Sequence, residues 1–143
     1  MTGRGAMIAA ILEQVAGIGR DLTGARSRPF GQLRLSKSQL DALFVLAHTR
    51  GPVTAGGLAS ALSVTPGAVT QLVAGLREHG LVEISADAED GRVRVIRLTP
   101  DTRARVDAFE QEAVERLAPT FAGLDDTELQ QLAALLNKRT ERS

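Results

Sequence analysis

The sequence contains no cysteine, tryptophan or tyrosine, and only two histidines. Without thiols, disulfides, cysteine nucleophiles, thiol redox sensing and Cys-type zinc sites are excluded outright. His48 and His79 stand far apart and lack metal-ligand spacing; each falls at an expected helix end, where an imidazole beside the last carbonyls is ordinary capping. No stretch approaches the run of about 18 apolar residues that a membrane span needs. The residues behind Met1 also lack a signal peptide's apolar block, so the expected location is the cytosol. There is no Gly-rich phosphate loop, no Ser/His/Asp order and no carboxylate pair set in an expected cleft, so neither catalysis nor a metal or cofactor is expected. An excess of one charge is missing as well. Seventeen basic residues balance seventeen acidic ones, and that neutrality gives no support to a nucleic-acid partner.

The charge is unevenly spread. Residues 1–50 carry seven Arg/Lys and three Asp/Glu, residues 51–99 four and five, and residues 100–143 six and nine. At 143 residues the chain fits one compact domain with extensions.

Met7, Ile8, Ile11, Leu12, Val15, Ile18 and Leu22 recur at three- and four-residue spacing, which predicts an amphipathic helix stopping near Thr23-Gly24. Ala25 to Leu35, with Arg26, Arg28 and Arg34, lacks periodicity and reads as a basic connector. Ser36 and Gln39 form a capping box ahead of a helix with Leu40, Leu43, Phe44 and Ala47 on one face, ended by Gly51-Pro52. Thr54 is the N-cap of a short helix burying Leu58, Ala61 and Leu62. Thr65-Pro66 then opens a helix that buries Val69, Leu72, Val73 and Leu76 and ends at His79-Gly80. Leu81 to Ser85 and Val93 to Leu98 read as a two-stranded hairpin around the turn Ala86 to Gly91. Thr99-Pro100-Asp101 starts a helix with Val106, Phe109, Ala113 and Leu117 on one face. Asp125 and Glu128 box a last helix whose expected buried stripe is Leu129, Leu132, Ala133 and Leu136.

Function is concentrated in Leu58 to Leu76. Apolar residues at Leu58, Leu62, Val64, Val69, Leu72 and Val73, with small Ala59 and Ser63 between them, suit two short helices crossing steeply at a tight turn. The face of the second helix left in solvent shows Pro66, Gly67, Thr70, Gln71, Ala74 and Arg77. It is either an ordinary solvated face or a slim leading edge for the major groove, where Gln71 pairs bidentately with adenine. The scarcity of Glu and Lys there favours the groove. The hairpin adds Arg92 and Arg94, which can enter a minor groove or grip phosphate. Asp90 is spaced to hold Arg92 outward.

Thr65-Pro66-Gly67-Ala68-Val69-Thr70-Gln71-Leu72, the ending Leu76 to Val82, the wing Asp87 to Arg92, and Leu98-Thr99-Pro100 together resemble the MarR (multiple antibiotic resistance regulator) family. The resemblance runs from about Leu35 to the last helix. It implies a mainly α winged helix-turn-helix with a small β-hairpin wing and a helical dimerisation region drawn from both termini. It further implies a homodimer that reads pseudo-palindromic double-stranded DNA and is released by a small-molecule effector. Carried over by position, Thr65, Pro66, Gly67, Thr70, Gln71 and Arg77 fall on the recognition helix and Arg92 and Arg94 on the wing. Three positions depart from the family's pattern. Gly57 stands where Glu is frequent, Gly91 where a basic residue is frequent, and Gln71 where arginine is common, so operator preference is not carried over.

The expected organisation is residues 1–35 as dimerisation helix and connector, 36–99 as DNA-binding domain, and 100–143 as C-terminal dimerisation helices. Both terminal helices present long aliphatic stripes, which are unusual on monomers and would be covered by pairing two copies. A two-fold dimer sets its recognition helices roughly 34 Å apart, one turn of DNA. The competing reading from a different class is a winged module that binds protein and not DNA, which the neutral charge favours.

Overall fold

The computed structural model describes residues 2–23, 30 and 33–138. The expected basic connector falls largely outside them: Arg26 and Arg28 are not described, while Arg34 is exposed. Among the described residues, six α-helices and one antiparallel hairpin follow in the order α1 (Gly3–Thr23), α2 (Lys37–His48), α3 (Ala55–Leu62), α4 (Pro66–Glu78), β1 (Val82–Ala86), β2 (Arg94–Leu98), α5 (Pro100–Leu117), α6 (Asp126–Asn137), with a 3₁₀ turn at Ala118–Phe121. No single helix among the described residues is long and apolar enough to cross a membrane.

Local chemistry explains the helix boundaries. Ser36 Oγ accepts the Gln39 amide at 3.1 Å while Gln39 Oε1 accepts the Ser36 amide at 2.8 Å, so two donors that a helix start leaves orphaned are satisfied reciprocally. Asp125 and Glu128 repeat the arrangement at α6. Thr54 Oγ1 accepts the Gly57 amide at α3. At its far end α2 stops at His48, earlier than Gly51-Pro52, because Thr49 turns extended. The end of α4 is a Schellman motif. The Gly80 amide donates to the Arg77 carbonyl and the Leu81 amide to the Leu76 carbonyl, with Gly80 at φ +72° where a Cβ would be strained.

Two compact units emerge, one of residues 1–28 with 109–140, the other of residues 29–108 with 141–143. The second unit holds the core. Leu43, Leu58, Val69, Leu76, Val95 and Val106 are fully buried, joined by Leu46, Val73, Leu81, Val82, Ile96 and Leu98. The axes of α3 and α4 bend by 107° at the break between them, within the range of helix-turn-helix pairs. The turn is made by Ser63, a non-glycine residue at φ +55°.

The strands run one residue later at their starts than the sequence suggests, with Val82 opposite Leu98 and Ala86 opposite Arg94. A further element escapes sequence reading: Val53, just before α3, bridges to Ile96, whose amide donates to the Val53 carbonyl at 2.8 Å. β2 thus has backbone partners on both edges, and Val95 and Ile96, which point to opposite faces, are both buried, so strict alternation fails there.

The first unit differs. No described residue of α1 is buried, and α6 buries none either. The expected stripe on α6 is corrected accordingly: Leu129 and Leu132 are half-buried, and Ala133 and Leu136 are exposed. Among the described residues nothing seals them from solvent. An apolar groove of about 600 Å³ lies within this unit, lined by Ala113, Val114, Leu117, Phe121 and Leu129 among others.

Candidate nucleic-acid interface

The start of α4 is built by three adjacent residues. Thr65 sits extended at φ −73°, ψ 155°, and its Oγ1 accepts the Ala68 amide at 3.2 Å. Pro66 takes the first helical position, where its missing amide removes nothing. Gly67 follows, and a Cβ built on it would meet nothing within 4 Å. No packing among the described residues requires glycine there, so the slimness of this end is available to an outside partner.

Inward, α4 is anchored by Val69, Val73 and Leu76, spaced to lie on one face. That anchorage turns Thr65, Pro66, Gly67, Thr70, Gln71 and Arg77 outward, and all six are exposed. The Thr70 hydroxyl donates to the Pro66 carbonyl at 3.0 Å. Gln71 keeps an exposed amide with no partner among the described residues. Its carbonyl and amino groups are the pair needed to engage one acceptor and one donor on a base edge.

The wing positions the cations. Asp90 opens a tight turn in which its carbonyl accepts the Val93 amide at 3.0 Å. Its Oδ1 accepts both the Arg92 amide, at 3.0 Å, and Arg92 Nε, at 3.3 Å. The Arg92 side chain remains 93% exposed. A pair so exposed adds little to folding stability; its effect is to limit where the guanidinium can go. Arg94 opens β2 opposite Ala86. It shares with Thr70 and Arg77 the lining of a cleft of about 250 Å³ between α4 and the hairpin, floored by Val69, Val73, Ile84 and Ile96. Among the described residues neither Arg77 nor Arg94 has an acidic partner. The structure therefore brings Thr70, Arg77 and Arg94 together, keeps Thr65 to Gln71 along one helix, and sets Arg92 apart at the turn.

Sequence reading missed one supporting contact. A Cβ on Gly75 would stand 3.0 Å from Gln39 Nε2, so the capping residue of α2 lies directly against α4. A contact between side chain and backbone on different helices leaves no periodic signal in either segment. His48, taken at the sequence level as a capping residue, has Nδ1 2.7 Å from the Phe44 carbonyl.

Comparison with known proteins agrees with this geometry. Residues 35–93 match the model described as MarR family. Over 125 residues the chain is 32% identical to an uncharacterized HTH-type transcriptional regulator from Mycobacterium bovis, spanning 82% of this chain and 87% of the relative. Among solved structures, a mutant of MepR from S. aureus superposes with a TM-score of 0.59 at 25% identity, over 96% of each chain. CouR from Rhodococcus jostii, crystallised with p-coumaroyl-CoA, superposes with a TM-score of 0.62 at 24% identity, covering 94% of this chain and 90% of its own; that likeness is one of fold.

Proposed function

Since the chain belongs to the MarR family, a family of DNA-binding transcription regulators and not of enzymes, we propose that it acts as a homodimer on a pseudo-palindromic operator. In this reading residues 36–99 hold the DNA. α4 enters the major groove with Thr65, Thr70 and Gln71 toward base edges, Pro66 and Gly67 allow close approach, and Arg77, Arg92 and Arg94 meet phosphates or the adjoining minor groove. Residues 1–35 and 100–143 pair the two copies. Occupancy of an operator excludes other proteins from the same DNA, so repression is the expected outcome.

The observation that carries the proposal is the exposed, side-chain-poor start of α4 beside Arg77 and Arg94, two arginines with no acidic partner among the described residues. Pairing is supported by Met7, Ile8, Ile11, Leu12 and Val15 on α1 and by Val114, Leu135 and Leu136 on α5 and α6, all between 49% and 63% exposed. Aliphatic surface of that extent marks a contact site. Release by a small-molecule effector completes the proposal; a neighbour of the same fold, CouR, is known in complex with p-coumaroyl-CoA. The competing reading, a winged module for protein alone, has behind it the neutral charge and the acidic Asp87, Glu89 and Asp90 of the hairpin turn.

Selection of binding sites from a random duplex pool at two salt concentrations tests the proposal. A palindrome with half-sites about one helical turn apart is expected, with affinity falling as salt rises. Failure to enrich any duplex at low ionic strength would overturn it.

A further inference from the structure

The two threonines of α4 carry the same side chain and are committed in opposite senses. Thr65 Oγ1 accepts the Ala68 amide, which leaves its hydroxyl proton available to donate. Thr70 Oγ1 donates to the Pro66 carbonyl one turn back, so its single proton is engaged inside the helix. What the exposed Thr70 side chain still offers is a methyl group and an oxygen lone pair. Purine N7, guanine O6 and thymine O4 all require a donor, and Thr70 in this state has none to give.

Its surroundings decide between the two groups that remain. Thr70 lines the cleft together with the apolar Val69, Val73, Ala74 and Ile84 and with the guanidinium donors of Arg77 and Arg94; its nearest same-face neighbours on the helix, Gly67 and Ala74, carry no polar side-chain atom. A base edge arriving at Thr70 itself meets methyl groups, while hydrogen-bond donation in the cleft falls to Arg77 and Arg94. We propose that Thr70 is a specificity-determining residue that recognises the C5-methyl of a thymine, which is the one apolar feature of the major groove. The proposal rests on the reading of α4 as the groove-binding helix.

Two conservative variants separate methyl from hydroxyl. Thr70→Val keeps the methyl and removes the hydroxyl; Thr70→Ser keeps the hydroxyl and its bond to Pro66 and removes the methyl. With full-length protein and the operator obtained from the duplex pool, each thymine of one half-site is replaced singly by deoxyuridine, which lacks only that methyl. For the unaltered protein one thymine is expected at which deoxyuridine weakens binding about fourfold, the size of one buried methyl. Thr70→Val retains that penalty, and Thr70→Ser binds the thymine and deoxyuridine duplexes alike.

The inference is overturned if Thr70→Ser keeps the penalty at every thymine. It is also overturned if Thr70→Val alone loses affinity while deoxyuridine is neutral throughout, the pattern of a hydroxyl accepting from an adenine or cytosine amino group. Should Thr70→Val fail to fold by circular dichroism, the Thr70→Ser comparison decides by itself. A selected palindrome with no methyl-sensitive thymine removes this inference and leaves the DNA-binding proposal standing; a pool in which nothing is selected removes that proposal first.

Discussion

The winged lobe and the terminal helices are made from the same kind of residue at the same spacing, and they end in opposite states. Leu58, Val69 and Leu76 in the lobe are sealed from solvent, whereas Leu12 of α1 and Leu135 of α6 are each 63% exposed. A helical stripe of aliphatics therefore specifies a face that seeks cover without specifying which molecule supplies it. In the lobe, α2, α3, α4, the start of α5 and a hairpin converge and close the core within one chain. At the termini no described residue of α1 or α6 is sealed in this way.

The contrast can be broken or sharpened by substitution. The largest effect is expected in the lobe: Leu76→Ala removes a fully buried side chain and should lower unfolding stability by about 2–5 kcal/mol, measured by denaturant titration. Leu12→Ala at high dilution should barely change it, and an equal loss at both positions would end the distinction between the two regions. Next, Leu12→Glu with Leu135→Glu should weaken self-association by about 2 kcal/mol or more. Sedimentation would then show a shift toward monomer, and the concentration dependence of the melting temperature would fade. A double variant that associates as tightly as the parent would mean the exposed stripes do not pair.

Smaller effects belong to the lobe's outer face, where packing and recognition separate. Gln71→Ala should cost about 1–3 kcal/mol at one base step and relax preference there. Arg92→Ala should weaken all duplexes evenly and flatten the plot of log affinity against log salt by about one. Binding titrations on matched and mismatched duplexes tell the two apart, and identical profiles would contradict the division of labour between helix and wing. Smallest is Gly67→Ala, which meets nothing inside the chain. It should raise stability by at most about 1 kcal/mol while reducing DNA affinity; thermal melts and binding measured on the same preparation check the opposed signs.

Much of the lobe was legible in the sequence because helix ends are local events. Ser36 with Gln39, Thr54, Thr65 with Pro66, Gly80, and Asp125 with Glu128 each act over a few residues, and each terminates or starts a helix where its chemistry indicates. The contact of Asp90 with Arg92 was legible for the same reason, as a two-residue spacing across a turn. The bridge from Val53 to Ile96 was not, since one backbone pairing between distant segments leaves no period to detect. Nor was the contact of Gln39 with Gly75, which depends on how closely α2 and α4 cross.

Within the candidate interface the division is equally physical. Residue order placed Thr65, Thr70, Gln71 and Arg77 on one exposed helical face, because helical geometry at about 3.6 residues per turn leaves little choice once Val69, Val73 and Leu76 turn inward. It could not say which way a hydroxyl proton points. The sequence by itself determined the elements, their caps and the face they expose, all of which follow from bonds and spacings within a turn or two of chain. Only the tertiary structure decided that Thr70 gives its proton to Pro66, that Arg77 and Arg94 converge on one cleft, and that no described residue seals the terminal stripes. Rotamers, cleft walls and cover depend on atoms brought together from distant parts of the chain.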